Sequence, residues 1–168
     1  MKKIGVFYSF RSKKSAAVAG KIIEQLGKDR AVAVDVDAAW GKDFMGFDSL
    51  IFGVPTWFDG ELPYYWDELV PLLEDMDFSG KKVAVFGNGN QKDYPENFGD
   101  AVGIMAEVAK SAGAEIVGFT STEGYSYELS KADVGSKQFC GLILDFENQA
   151  TLSDKRIADW VHLLISEF

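Results

Sequence analysis

Short apolar runs alternate with longer amphipathic stretches along this chain, and few folds accommodate that rhythm. Residues 4–8 (Ile-Gly-Val-Phe-Tyr) have the unbroken apolar character of a strand buried on both faces. Residues 14–26 follow with Ala17, Val18, Ile22, Ile23 and Leu26 at helical spacing and Gly27 placed to end the helix. The pattern then repeats. Strands are expected at 31–36, 49–53, 82–87 and 115–119, and helices at 64–73, 97–112 and 153–167. Ser153 is the expected cap of the last helix, whose apolar stripe is Ile157, Trp160, Val161, Leu164 and Ile165.

Strand–helix alternation predicts an α/β domain: a five-stranded parallel sheet in the order 2-1-3-4-5, with right-handed crossovers placing helices on both faces. At 168 residues the chain makes one domain, 1–168, with a substantial core. A polar stretch at 120–138 is long for a structureless loop, and a further apolar run follows at 139–144. It is read as an insertion that interrupts the fifth strand, which then resumes.

In such a sheet, ligands bind beyond the carboxyl ends of the strands, at the switch point between strands 1 and 3. Three loops therefore matter. The first holds Ser9, Phe10, Arg11, Ser12, Lys13, Lys14 and Ser15 at a helix start. Free N–H groups and the helix dipole favour phosphate there, helped by three hydroxyls and three cations. Taken alone, the same residues also fit a helix cap with solvated basic neighbours. The second loop holds Pro55, Thr56, Trp57, Phe58, Asp59, Gly60, Glu61 and Leu62. Trp57 offers a plane on which a flat ring can stack, and Gly60 permits peptide conformations closed to other residues. Core filling is the plainer role for Phe58. The third loop holds Gly87, Asn88, Gly89, Asn90, Gln91 and Tyr94, a glycine-rich turn with a second aromatic plane. Together they suit a flat, phosphorylated cofactor.

Other chemistries find little support. Net charge is −9, from 26 acidic and 17 basic residues, a field that repels nucleic acid and anionic membranes and suits basic protein partners. The single cysteine, Cys140, lies in an apolar run and is read as a buried, inert thiol; it excludes an internal disulfide or a multi-thiolate metal site. The N-terminal apolar stretch is too short for a signal peptide, and no segment approaches a membrane span, so a cytoplasmic protein is expected. His162 falls on the last helix, away from the loops. A phosphorylatable receiver domain would need acids where Tyr8, Ser9, Gly53 and Val54 stand.

The motifs resemble those of the long-chain flavodoxins over nearly the whole chain. Pro55, Thr56 and Trp57 with Gly60, Glu61 and Leu62 are similar to the first flavin loop. Phe86, Gly87, Asn88, Gly89, Asn90 and Gln91 with Tyr94, Asn97 and Phe98 are similar to the second. Ser121, Glu123, Gly124 and Tyr125, then Gly141 to Asp145, then Asn148 and Gln149 match further signatures, and the insertion separates long-chain from short-chain members. The resemblance implies non-covalent flavin mononucleotide (FMN), with Trp57 on the inner flavin face and Tyr94 on the outer. The Phe58–Asp59 peptide would bond flavin N5, Asn88 to Gln91 the pyrimidine end, and Asp145 and Asn148 the ribityl side. It implies a monomeric, low-potential one-electron carrier rather than a stand-alone enzyme. Such a carrier works between semiquinone and hydroquinone. It would shuttle between an electron-donating reductase and an acceptor that dock on the acidic flavin-edge face, with Asp59, Glu61, Asp93 and Glu96 disfavouring the reduced anion. The first loop departs from the pattern: Phe10 stands where a hydroxyl is usual, and Lys13 where glycine is. Lys13 fits only if that position has no need of positive φ. FMN is still expected to bind. The alternatives are an FMN-dependent NAD(P)H:quinone-type oxidoreductase on the same fold and a relative that has lost FMN and only binds partners.

Overall fold

The computed structural model describes residues 3–168. In chain order the elements are β1 Ile4–Tyr8, α1 Lys13–Leu26, β2 Ala31–Asp35, α2 Gly41–Met45, β3 Ser49–Gly53, α3 Tyr64–Asp67 and α4 Val70–Glu74. They continue with β4 Lys82–Asn88, α5 Asp100–Ser111, β5 Glu115–Ile116, β6 Thr120–Ser121, β7 Gln138–Phe139, β8 Leu142–Leu144 and α6 Ser153–Glu167. The parallel sheet runs β2-β1-β3-β4, and its fifth position is shared by β5 and β8, which both pair with β4. Registers carry Ile4 onto Ala31 and Ser49, Ser49 onto Lys82, and Lys82 onto Glu115. All three predicted loops consequently leave the same edge of the sheet.

Both faces are covered, as the apolar strands require. One core gathers Phe7, Phe44, Phe52, Trp66, Phe78 and Phe98 with the inner side of α5. The other gathers Val6, Ile22, Phe86, Trp160 and Leu164 beneath α1 and α6. Neighbours in β1 alternate between them: Phe7 belongs to the first, Val6 and Tyr8 to the second.

The interrupted fifth strand has a physical cause. After Val117 N–H donates to Val83 O, Gly118 turns to φ 78°, a region open to glycine. Its freed backbone groups are taken by α6: Trp160 Nε1 donates to Gly118 O (2.7 Å), and Gly118 N–H donates to Glu167 Oε2 (2.6 Å). The insertion forms its own antiparallel pair, β6 with β7. It packs beside the start of α5 through an aromatic group in which Tyr125, Tyr127 and Phe139 surround Phe98 at 5.3–6.0 Å. The strand resumes when Leu142 comes opposite Phe86.

Three expectations about the helices need correction. The helix expected at 64–73 is two short ones, because Pro71 has no N–H to complete the turn back to Asp67. The helix expected from 97 begins at Asp100, because Gly99 is left-handed (φ 62°) and breaks the run. Ser153 is the first residue of α6 rather than its cap, and its Oγ has no hydrogen-bond partner. The short α2 was not foreseen. No helix among the described residues is long and apolar enough to cross a membrane.

Candidate functional site

The loops after β1, β3 and β4 enclose a crevice of about 650 Å³ lined by Ser12, Lys13 and Lys14; by Pro55, Thr56, Trp57 and Phe58; by Asn88, Gly89, Asn90, Tyr94 and Asn97; and by Glu147. That size is ordinary for a cofactor site. A second hollow, against α5 and β5, is lined by Ile104, Val108, Ile116, Phe119 and Val134 and has neither a helix start nor paired aromatics.

The first loop is tight. Ser12 N–H donates to Ser9 O (3.0 Å), and α1 begins at once with Lys13. Lys13 is therefore helical, is absent from the positive-φ residues, and has no need of glycine's freedom. Ser12 is the N-cap, yet its hydroxyl makes no capping bond and no acid lies in the first turn. The free N–H groups of α1 thus open beside two lysines and an unused hydroxyl, an arrangement that favours an anion.

The rest of this loop is held from outside. Ser9 Oγ donates to Asp37 Oδ2 (2.7 Å), Arg11 pairs with both Asp37 oxygens (2.8 and 3.2 Å), and Arg11 Nη2 also donates to Tyr64 Oη (2.5 Å). Asp35 Oδ1 accepts from the N–H groups of Phe10 (3.3 Å) and Asp37 (3.2 Å). Bonds from Arg11 hold the Asp37 carboxyl below its usual range, and the same bonds raise Arg11. Ser9, Phe10 and Arg11 are therefore not crevice-lining side chains: the Phe10 ring packs on Tyr8 at 5.0 Å. Ser15 is buried and faces a small adjoining void beside Phe86 and Gly87.

The second loop is a short hairpin. Trp57 and Glu61 exchange both backbone bonds (2.9 and 2.7 Å). Between them Phe58 adopts φ 47° and Gly60 φ 92°. Phe58 is 72% exposed, so core filling is not its role. Gly60 lies against Asp100 and Asn97 so closely that a Cβ would stand 2.5 Å from Asp100 Oδ2. Thr56 Oγ1 accepts from Ala101 N–H (3.1 Å), which ties the hairpin to the start of α5. Trp57 is half-buried, edge-on to Tyr65 at 5.7 Å.

The third loop turns on Asn90, whose Oδ1 accepts from the N–H groups of Lys92 and Asp93 (3.2 and 3.0 Å). Tyr94, 48% exposed, follows one turn later, its N–H on Asn90 O (2.9 Å). Gln91 faces inward, donating through N (3.1 Å) and Nε2 (2.8 Å) to Asp145 Oδ2 and accepting from Ser126 N–H (2.6 Å). Asp145 is fully buried and does not line the crevice; Asn148 donates to it and to Asn90 Oδ1 (2.9 Å). Burial alone would push its carboxyl up, but bonds from Asn148 and Gln91 outweigh that and hold it below the usual range. It thus braces the loop that lines the crevice. Phe98 and Gly87 are core residues, and Gly60 and Asp59 flank the hairpin tip rather than line the crevice.

Asp35, Asp37 and Glu147 were missed in the sequence. Glu147 Oε1 accepts from Lys14 Nζ (2.7 Å) across the crevice end. The acid pair closing β2 was the available signal for the first two.

The profile of the Flavodoxin family matches residues 6–160. A flavodoxin of a Nostoc species is 44% identical over 167 residues, covering 99% of this chain and 98% of that protein. One from Buchnera aphidicola is 42% identical over 168 residues, covering 100% and 98%. The crystal structure of Fusobacterium nucleatum flavodoxin bound to flavin mononucleotide superposes with a TM-score of 0.93 at 36% identity, covering 100% of this chain and 99% of that one. Its K13G variant, also bound to flavin mononucleotide, superposes equally well.

Proposed function

The chain belongs to the flavodoxin family, and from that premise we propose that it carries electrons singly on a non-covalently held FMN. One observation carries this reading: a helix start rich in unused donors and two aromatic side chains from different loops line the same crevice. The residues present fit the group. The lysines and free N–H groups of α1 suit a phosphate dianion. Ser12 has a hydroxyl that makes no capping bond and lines the crevice. Lys13 is no obstacle, since helical φ suits it.

In this reading Ser12, Lys13, Lys14 and Ser15 hold the phosphate, and Thr56 and Asn88 flank the ribityl chain. Trp57 and Tyr94 cover the two faces of the ring and exclude water from it. Gly89, Asn90 and Gln91 present backbone to its pyrimidine end, braced by Asp145 and Asn148. Bound FMN supplies the redox chemistry, accepting and releasing one electron at a time. The hairpin tip supplies a carbonyl, that of Phe58, to accept a proton-bearing nitrogen. Asp59, Glu61, Asp93 and Glu96 are all exposed around this end of the molecule. They oppose added negative charge, which lowers the potential, and they attract basic redox partners.

The purified protein should be yellow. Its flavin should be reduced by NADPH only when a separate reductase is added. A colourless protein, or direct NAD(P)H-to-quinone turnover by this chain alone, would contradict the proposal.

A further inference from the structure

Among the described residues that line the crevice there is a single acid, Glu147. A carboxylate is out of place there, because the same lining holds Lys13, Lys14 and the start of α1, an end that favours an anion. The turn that carries Glu147 is fixed on both sides. Asn148 N–H donates to Asp145 Oδ1 (3.0 Å), Asn148 Nδ2 donates to Asn90 Oδ1 (2.9 Å), and Gln149 N–H donates to Asp145 O (2.9 Å). From this turn Glu147 Oε1 accepts from Lys14 Nζ (2.7 Å), a residue 133 positions away in sequence.

The pair changes the charge that the first loop offers. Arg11 is held by Asp37 (2.8 Å) and Lys14 by Glu147, which leaves Lys13 as the cation of this loop without an ion-pair partner among the described residues. An anion arriving at α1 meets one lysine already neutralised, with a negative charge beside it. Lys14 has three donors and can be shared, but its one charge is then divided between two anions that repel each other.

We propose that Glu147 sets how tightly the crevice holds a phosphate dianion: its carboxylate holds Lys14 and competes with the phosphate for that lysine's charge. Glu147 thus lowers affinity for a doubly charged tail and leaves the ring end alone. Both side chains of the pair are exposed, so solvent screens the effect and keeps it modest. The inference rests on the reading that this loop holds the phosphate of FMN.

The test uses the full chain freed of cofactor, as the parent and as Glu147→Gln. Each protein is titrated with FMN, riboflavin and inorganic phosphate at low and at high sodium chloride, and unfolded in urea. At low salt Glu147→Gln should tighten FMN and inorganic phosphate about fivefold, with riboflavin unchanged and the urea midpoint close to the parent's. The gain should shrink as salt rises, since charge alone produces it. Weaker binding of FMN and phosphate would overturn the proposal, because Glu147 would then be holding Lys14 in place for the anion. An equal shift for riboflavin would overturn it too, by moving the effect to the ring, as would unchanged affinity or a gain indifferent to salt. If the parent binds inorganic phosphate but not FMN, the functional reading fails, while the phosphate titrations still decide the role of Glu147. A parent that binds neither overturns both.

Discussion

Replacing Gly60 with alanine puts a methyl group where the structure has no room. The new Cβ would stand 2.5 Å from Asp100 Oδ2, 3.0 Å from Asn97 Nδ2 and 3.2 Å from Asn97 Cβ. The first of these is about 1 Å short of an ordinary contact. Asp100 cannot retreat cheaply: it is 1% exposed, its Oδ1 accepts from Lys131 N–H (2.8 Å), and its Oδ2 accepts from Asn97 Nδ2 (3.2 Å). Alanine at φ 92° adds roughly 1–2 kcal/mol of backbone strain. Losing the Asn97–Asp100 bond adds about 1 kcal/mol. A combined cost of about 2–3 kcal/mol is expected. It should divide between a lowered urea stability of the cofactor-free protein and a weakened FMN affinity, because the hairpin can move away from Asp100 and carry Trp57 with it. Equilibrium unfolding and fluorescence titration measure the two parts. If neither changed by more than about 0.5 kcal/mol, the close approach of the hairpin to α5 would be wrong.

Trp57→Ala should weaken FMN about 5- to 150-fold, through loss of a stacking plane worth about 1–3 kcal/mol, while riboflavin weakens in parallel. Asp145→Asn should cost about 2–4 kcal/mol at pH 7, since a buried acceptor of several bonds is replaced by a group that also donates. Because the Asp145 carboxyl is held low, its stabilisation is present above the ordinary carboxylate value of about 3.9 and lost as pH falls below it. The variant's stability should therefore fall less steeply on acidification than the parent's. Glu147→Gln removes an ion pair whose partners are both well exposed, so stability should change by less than about 1 kcal/mol. Association with a basic redox partner should slow as salt rises, and an acceleration would refute acidic-face docking.

Periodicity made the sheet legible: β1 and β3 fall where the apolar runs predict them, and α6 spans the predicted range. What it could not show was backbone chemistry acting over a few residues. Gly99 and Pro71 each moved a helix boundary because one residue lacked an ordinary φ or an N–H. The three loops were legible because fold rules put them at one edge, and Trp57, Tyr94 and Ser12 do line one crevice. The orientation of Arg11 was not: its pairing with Asp37 depends on β2 lying beside β1, a contact 26 residues away in sequence. The bonds from Gln91 to Asp145 behind the loop were not legible either, since a buried carboxylate needs donors that only the tertiary fold supplies.

The most direct test is titration of the cofactor-free protein with FMN, followed by flavin fluorescence. Saturation at one FMN per chain, with a dissociation constant below micromolar and flavin emission quenched by stacking on Trp57 and Tyr94, is the expected result. Affinity no tighter than millimolar, or emission that stays at the level of free FMN, would contradict it.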